Sequence, residues 1–260
     1  MIHRRFLLPV LLFLFSSYGT TTSQAQALQQ AHGAVVRGDT ARPILALVFT
    51  GDRYADGGQH ILSVLKKHGI KGSFFFTGHF YRDTTFAPII QGLIQDGHYL
   101  GAHSDQHLLY CSWEDRDSLL IDRITFEKDL LDNYREMAHF GIKRTEAPYF
   151  LPPYEWYNEK IARWTEALGF TLINMTYGTR SHADYTVPSD QNYIDSQAIY
   201  RSLLEYEAEA KHGLNGFLLL SHIGVHPDRK DKFYLHLDEL ITTLKRRGYE
   251  FQRVDVLLEF

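Results

Sequence analysis

A chain of 260 residues with 44% hydrophobic and 14% aromatic side chains is long and apolar enough to bury a sizeable core. This composition excludes an intrinsically disordered protein, and the formal net charge of −4 argues against a partner that is bound through a nucleic-acid backbone. Cys111 is the single cysteine, so an internal disulfide is excluded as well.

The N-terminus has the pattern of an export signal. His3, Arg4 and Arg5 precede an apolar run over residues 6–15, and small and polar residues follow up to position 27. About 20 apolar residues are needed to span a bilayer, so this run is too short for a stable membrane anchor. We predict a signal peptide over residues 1–27, a linker over residues 28–33 and one catalytic domain over residues 34–260, exported to the periplasm or secreted.

Strand-like apolar runs alternate with amphipathic helical patterns along the rest of the chain. The segment "GAVVRGDTARPILALVF" predicts two short strands around a turn at Gly38-Asp39. The longer predicted strands are residues 44–49, 73–76, 99–102, 149–151, 171–175, 217–220 and 249–254. The predicted helices are residues 60–68, 86–96, 126–140, 158–168, 196–212 and 234–247. Helix ends with a left-handed residue are predicted at Gly69, Gly97, Gly141, Gly169, Gly213 and Gly248.

Strict alternation of strands and helices predicts a parallel sheet that helices cover, either open and doubly wound or closed as a barrel. In both architectures ligands bind at the carboxyl ends of the strands. The residues that directly follow each predicted strand are therefore the candidates for chemistry.

The segment "GAHSDQH" places His103 and His107 four residues apart at such a strand end. This spacing suits two ligands of one zinc ion, although two hydrogen-bonded loop histidines would give the same pattern. A catalytic zinc takes three protein ligands and keeps one position open. Asp52 after the first long strand is the best candidate for the third ligand, and Asp56 is the second. Ser104 is expected to hold the turn between the histidines.

With these segments the chain resembles the NodB-type polysaccharide deacetylases, which are carbohydrate esterases of family four. "HSDQH" matches the H-S/T-x-x-H metal motif of that family, and "LLLSH" matches L-x-H. "LVFTGD" stands where the family has T-F-D-D, "FLPPYEWYN" stands at R-P-P-Y, and "HADYT" stands at the D-x-x-D-W segment. The resemblance covers about residues 34–258. It implies a distorted (β/α) barrel of about seven parallel strands. It also implies a metal-dependent hydrolase that removes N- or O-linked acetyl groups from a polysaccharide or oligosaccharide, with zinc as the best-assigned divalent metal.

The resemblance also implies roles for individual residues. Asp52, His103 and His107 take the positions of the metal ligands, and His222 takes that of the general acid. Tyr154 takes the position whose backbone N–H binds the oxyanion. Asp184 takes that of the carboxylate that orients His222.

The chain departs from the family pattern at two positions. The general-base aspartate of the family falls on Gly51, and the arginine that pairs with it falls on Leu151. An arginine without its carboxylate would be a costly buried charge, so their joint loss indicates a rebuilt site. We consider two hypotheses: Asp56 swings in as the replacement base, or the substrate is an O-acetyl ester.

Two other functions are compatible with the sequence. Gly51 and Leu151 favour a carbohydrate-binding protein on a deacetylase scaffold with weak or no turnover. A different metal hydrolase on a similar barrel ranks last, because two-metal sites need more ligands than these strand ends offer. Exposed aromatic residues can stack on sugar rings or simply pack, and we expect at least one to line a sugar cleft among Trp113, Tyr154, Trp156, Tyr157 and Tyr177. His226 is expected to be structural or a substrate contact.

Overall fold

A strand or a helix is present at each position where the sequence predicts one in the computed structural model, which describes Met1 and residues 28–259. The predicted signal peptide, apart from Met1, lies outside the described residues. The strands are β1 (Gln29–Ala31), β2 (Ala34–Arg37), β3 (Ile44–Gly51), β4 (Ser73–Phe76), β5 (Tyr99–Ala102), β6 (Tyr149–Phe150), β7 (Thr171–Leu172), β8 (Leu218–His222) and β9 (Glu250–Phe251). The α-helices are α1 (Gly58–His68), α2 (Gly78–Arg82), α3 (Ala87–Gln95), α4 (Arg123–His139), α5 (Glu159–Ala167), α6 (Ser196–Glu209), α7 (Leu237–Arg246) and α8 (Val254–Leu257).

The main sheet is parallel and has the strand order β7-β6-β5-β4-β3-β8, with β9 paired to the first residues of β3. All residues of β3, β4 and β5 are buried, as expected for central strands that are covered on both faces. The gap between β7 and β8 is bridged by β2, since Val35 pairs with Ile173 and Arg37 pairs with Phe217. The sheet therefore forms a distorted barrel, which confirms the predicted fold class.

All six glycines that the sequence places at helix ends have positive φ angles, between 47° at Gly213 and 90° at Gly248. In this conformation a glycine carries no steric penalty from a Cβ atom, and it lets the chain leave a helix towards the next strand. Five of the predicted helix ends are confirmed. The sixth is wrong, because α6 already ends at Glu209, where Ala210 takes an extended conformation, and Gly213 lies in the turn that follows.

Three strands are shorter than predicted, β6 by a single residue and β7 and β9 by more. β7 ends at Leu172, because the next residues leave the sheet and the N–H of Asn174 donates to the carbonyl of Val35 in β2. β9 ends at Phe251, because the chain turns into the short helix α8. β1, α2 and α8 lack a signal in the sequence, since each is five residues or shorter. None of the helices in the described part of the chain is long and apolar enough to span a membrane.

Candidate active site

A pocket of about 440 Å³ opens at the carboxyl ends of β3, β5, β6 and β8. The sheet brings together side chains here that are distant in sequence, such as Asp52 and His222, which are 170 residues apart. Five of the seven predicted site residues line this pocket, namely Asp52, His103, His107, Tyr154 and His222. Asp184 contacts it through His222, whereas Asp56 lines a neighbouring pocket.

The two histidines are held by a turn directly after β5. The N–H of His103 donates to Oδ1 of Asn133 at 2.8 Å, and Nδ1 of His103 lies 2.8 Å from the carbonyl oxygen of Leu151. Because a carbonyl only accepts, Nδ1 of His103 carries the proton and Nε2 keeps its lone pair. Ser104 holds the turn as predicted, since its Oγ accepts from the N–H of His107 at 2.9 Å.

Both imidazoles are neutral near pH 7. Burial and, to a smaller extent, the neighbouring His107 lower the pKa of His103 to about 3. Burial also lowers the pKa of His107 to about 4, although the carboxylate of Asp52 opposes the effect. The ring centroids lie 5.1 Å apart. Neutral imidazole is the form that binds a metal ion.

Asp52 follows β3 and is ionised. Burial raises its pKa, but the hydrogen bond from Thr77 and the nearby His107 and His79 outweigh burial, so the pKa lies below its ordinary value. Oδ1 accepts from Oγ1 of Thr77 at 2.8 Å and lies 3.1 Å from Nδ1 of His79. Oδ2 lies 3.3 Å from Nε of Arg53.

The pocket contains the types of ligand that a divalent cation binds, namely an ionised carboxylate and two neutral imidazoles. They do not form a complete coordination group as placed. Among the residues that the structure describes, no three His, Cys, Asp or Glu side chains are arranged to hold a metal ion. Asp52 instead uses both carboxylate oxygens for contacts within the protein.

His222 lies at the end of β8 and pairs with Asp184. Its Nδ1 lies 2.6 Å from Oδ1 of Asp184, and its backbone N–H donates to Oδ2 at 2.9 Å. Asp184 is buried in the 3-10 helix Ser181–Tyr185. Burial lowers the pKa of His222, but Asp184 and Glu155 outweigh burial and raise this pKa above its ordinary value. Nε2 is the nitrogen that remains available to a bound molecule.

The backbone N–H of Tyr154 is free to donate. Pro152 and Pro153 follow β6, and Tyr154 then takes a left-handed conformation with φ of 59°. Among the described residues its N–H has no acceptor. The Tyr154 ring lies 4.4 Å from that of His107 and 5.8 Å from that of Trp113.

Asp56 lies outside the pocket of the histidines. Its carboxylate accepts from the N–H of Val225 at 2.8 Å and from the hydroxyl of Tyr234 at 2.8 Å, and it lies 2.9 Å from Nζ of Lys232. Burial raises its pKa, but these partners outweigh burial and lower it. The predicted role of Asp56 as replacement base therefore requires that three contacts break, and it stays a prediction.

Apolar packing surrounds the two positions that depart from the family pattern. A Cβ atom built on Gly51 would lie 2.7 Å from Cγ2 of Ile223, and 3.0 Å from ring atoms of Phe76 and Phe80. Leu151 is 1% exposed and belongs to the hydrophobic core. Neither position has room for a charged pair.

Sequence reasoning missed several residues of the pocket, namely Arg53, Glu155, His182 and Tyr185. No role was predicted for His79, although it follows the predicted strand 73–76 and lies 3.1 Å from Asp52 through its Nδ1. Glu155 had a signal in the sequence, because it directly follows the predicted oxyanion residue Tyr154 in "PPYEW".

Comparisons with known proteins assign the chain to a family. The family model of polysaccharide deacetylases matches residues 37–173, more than half of the chain. The chain is 26% identical over 235 residues to the peptidoglycan-N-acetylmuramic acid deacetylase PdaA of Bacillus subtilis, which covers 90% of this chain and 79% of that protein.

Solved structures share the fold. BA3943 from Bacillus anthracis, described as a pseudoenzyme of family CE4, has a TM-score of 0.67 at 16% identity and covers 88% of this chain and 70% of its own. A family 4 acetyl xylan esterase from Clostridium thermocellum, solved with a cobalt ion, has a TM-score of 0.64 at 20% identity. The match covers 82% of this chain and 89% of the esterase chain. With its family model matched over more than half of its length, the chain belongs to the polysaccharide deacetylase family.

Proposed function

We propose that this protein is a hydrolase that removes N- or O-linked acetyl groups from a polysaccharide or oligosaccharide. The observation that carries the proposal is the single pocket that joins the histidine pair, the His222–Asp184 pair and the free N–H of Tyr154. Membership of the family supports it.

The groups of the pocket have distinct tasks in this reaction. The N–H of Tyr154 donates to the acetyl oxygen as negative charge develops on it. Protonated His222 gives its Nε2 proton to the leaving oxygen or nitrogen. Asp184 accepts from Nδ1 of His222 and stabilises the protonated ring.

We further propose that Asp52, His103 and His107 hold a divalent cation, with zinc as the expected metal. Such a cation, when bound, polarises the acetyl carbonyl and lowers the pKa of water. For this, Asp52 has to exchange its contacts with Thr77 and His79 for the cation. The acetyl xylan esterase of similar fold was solved with a cobalt ion, which supports a metal-dependent activity.

Aromatic side chains at the mouth of the pocket support a sugar substrate. Trp113 is 54% exposed, and its ring lies 5.8 Å from that of Tyr154 and 5.2 Å from that of Trp156. Exposed aromatic rings at a cleft suit stacking on sugars. An extracellular polymer as substrate also agrees with the predicted export.

Acetate release tests the proposed activity. Purified protein is incubated separately with acetylated xylan, acetylated chitin oligomers and peptidoglycan, and the released acetate is measured. Elemental analysis of the same protein determines its metal content. We expect acetate release and a bound divalent metal, with both reduced in His107→Ala, because this change removes one ligand. Equal metal content in the wild type and His107→Ala would contradict the proposed metal site.

The same measurements distinguish the remaining hypotheses. A strong preference for acetylated xylan supports an ester substrate, whereas a preference for chitin oligomers contradicts it. Unchanged activity in Asp56→Asn contradicts Asp56 as the base. The apolar packing at Gly51 favours one second function, a carbohydrate-binding protein without turnover. Glycan binding by metal-free protein that releases no acetate from any substrate would support that function.

A further inference from the structure

Glu155 places a carboxyl group without a partner in the pocket of the proposed active site. The side chain is half-buried and lines the pocket beside His222 and Tyr185. Among the described residues, its carboxylate takes part in no hydrogen bond and no ion pair. A half-buried carboxyl group without a partner is costly, so its position calls for a function.

The backbone at Glu155 is held in a conformation that favours glycine. Glu155 has φ of 52°, directly after Tyr154 with φ of 59°. Two successive left-handed residues with side chains are rare, and such strain concentrates at functional sites. The amide of Asn174 donates to the carbonyl oxygen of Glu155 at 2.9 Å and supports this conformation.

The other acidic groups near the pocket already have partners. Asp52 accepts from Thr77, and Asp56 from Val225 and Tyr234. Asp184 is bonded to His222. Gly51 has no side chain. Within the described part of the chain, Glu155 is therefore the pocket carboxylate that is free to accept a proton.

The surroundings of Glu155 suit proton exchange near neutral pH. Burial raises the pKa of the Glu155 carboxyl to about 7, with nearby His222 opposing the effect and Asp184 adding to it. In turn Glu155 raises the pKa of Tyr185 and of His222. Among the described residues, His222, Asp184 and Tyr185 are the titratable groups that interact electrostatically with Glu155. General bases work best when their pKa lies close to the operating pH.

We propose that Glu155 is the general base of this site, in place of the carboxylate that is absent at Gly51. This inference rests on the proposed function. The carboxylate takes one proton from the attacking water while the water oxygen bonds to the acetyl carbon. The π electrons of the carbonyl move to its oxygen, which accepts a hydrogen bond from the N–H of Tyr154.

The second half of the reaction returns the electrons and the proton. The carbonyl re-forms, and the bond to the leaving oxygen or nitrogen breaks with its electron pair, which takes the Nε2 proton of His222. Protonated Glu155 then passes its proton to His222, and both groups regain their starting state. The products are acetate, a proton released to solvent, and the free hydroxyl or amine of the sugar.

Substitution of Glu155 tests the proposal on the full-length mature protein with whichever acetylated substrate the wild type hydrolyses. Glu155→Gln keeps the shape but loses the proton acceptor. We expect kcat to fall by about 10²–10⁴-fold with little change in KM. The wild-type rate is expected to rise with pH through about 7, and Glu155→Gln loses this rise. Glu159→Gln is the matched control, because the exposed side chain of Glu159 lies outside this pocket and pairs with Arg163 on the surface.

A second variant separates chemistry from folding. Glu155→Gly suits the left-handed backbone, so we expect thermal unfolding at or above the wild-type temperature. Its activity is expected to be low and to be restored in part by added formate, a small carboxylate that fits the vacated space. A purely structural role of Glu155 gives no such rescue.

The outcomes separate the two proposals. If Glu155→Gln is as active as the wild type, Glu155 is not the base. The same holds if formate does not restore activity to folded Glu155→Gly. Both results leave the proposed function standing. A wild type that releases no acetate from any substrate at any pH overturns both.

Discussion

Histidines of the same pocket differ in charge because their neighbours differ. Burial dominates at His103 and His107 and keeps both imidazoles neutral, as a metal site needs. At His222 the buried carboxylate of Asp184 outweighs burial and favours the protonated ring, as an acid needs. The sequence places all three residues at strand ends, but their protonation depends on partners that only the folded chain provides.

Asp184→Asn is expected to lower the pKa of His222, because the amide keeps a hydrogen-bond acceptor but removes the negative charge. The falling limb of the pH–rate profile then moves to lower pH. NMR titration of the His222 ring measures the shift directly. Asp195→Asn is the control, since asparagine still caps α6. An unchanged pKa in Asp184→Asn would contradict the assigned pair.

The same pair has a defined effect on stability. Because the folded protein raises the pKa of His222 above 6.5, the pair stabilises the fold fully below that pH. This contribution is lost as the pH rises through the raised pKa. Asp184→Asn removes it.

Gly51→Ala is expected to destabilise the fold by about 1–3 kcal/mol, because the new Cβ meets the Ile223 side chain at 2.7 Å. Urea denaturation measures the change. Gly92→Ala in α3 is the matched control, with its nearest contact 3.3 Å away, and it should stabilise the fold by up to about 1 kcal/mol. Equal effects at both positions would show that the packing at Gly51 tolerates a side chain.

At the scale of elements, the start of α5 fixes the loop that carries Tyr154 and Glu155. Oδ1 of Asn158 accepts from the N–H of Ile161 at 3.1 Å and caps the helix. Nδ2 of Asn158 donates to the carbonyl of Arg116 at 2.9 Å, and Arg116 in turn lies over the ring of Trp156 at 3.5 Å. Asn158 therefore connects α5 and the loop before it to the segment that follows β5.

Asn158→Ala is expected to cost about 1–2 kcal/mol in the free energy of unfolding, since it removes a buried cap and leaves the Arg116 carbonyl without its donor. Asn158→Asp keeps the cap but not the donor, so its loss should be smaller. Denaturant unfolding of both variants measures the two contributions. Asn158→Ala with wild-type stability would refute the role of the cap.

At the scale of the whole molecule, β2 bridges β7 and β8 and closes the barrel opposite the central strands. Arg229 joins further segments that are distant in sequence. It is fully buried, and its guanidinium donates to the carbonyl oxygens of Thr186, Ile194 and Asp231. These contacts hold the segment that follows Asp184 against the loop that follows His222.

The pH dependence of stability is also a property of the whole fold. His98 is buried directly before β5, and its Nδ1 accepts a hydrogen bond from the N–H of Gly72 at 3.0 Å. Burial and, to a smaller extent, the nearby Lys71 lower its pKa from an ordinary 6.5 to about 4. Between these pH values the unfolded chain binds more protons than the folded one, so stability falls as the pH falls.

We expect this loss to be about 1.4 kcal/mol per pH unit for His98, measured by urea unfolding between pH 7 and pH 4. In His98→Asn the amide oxygen still accepts the N–H of Gly72, but the group no longer titrates. The variant should therefore show a flatter dependence on pH. A slope identical to that of the wild type would rule out His98 as a contributor.

The sequence alone determined the order of strands and helices, the left-handed glycines and the spacing of His103 and His107. These features depend on hydrophobic periodicity, turn chemistry and short spacings, all of which act between residues close in the chain. It also predicted the fold class, because alternation leaves few ways to cover a parallel sheet.

Only the tertiary structure decided which acidic groups are free. Asp56 is bound by Val225, Lys232 and Tyr234, which are about 170 residues away in the chain, and Ile223 fills the space beside Gly51. Glu155 lies in the pocket without a partner. Burial and ion pairing depend on contacts between distant segments, so no local pattern carries this information.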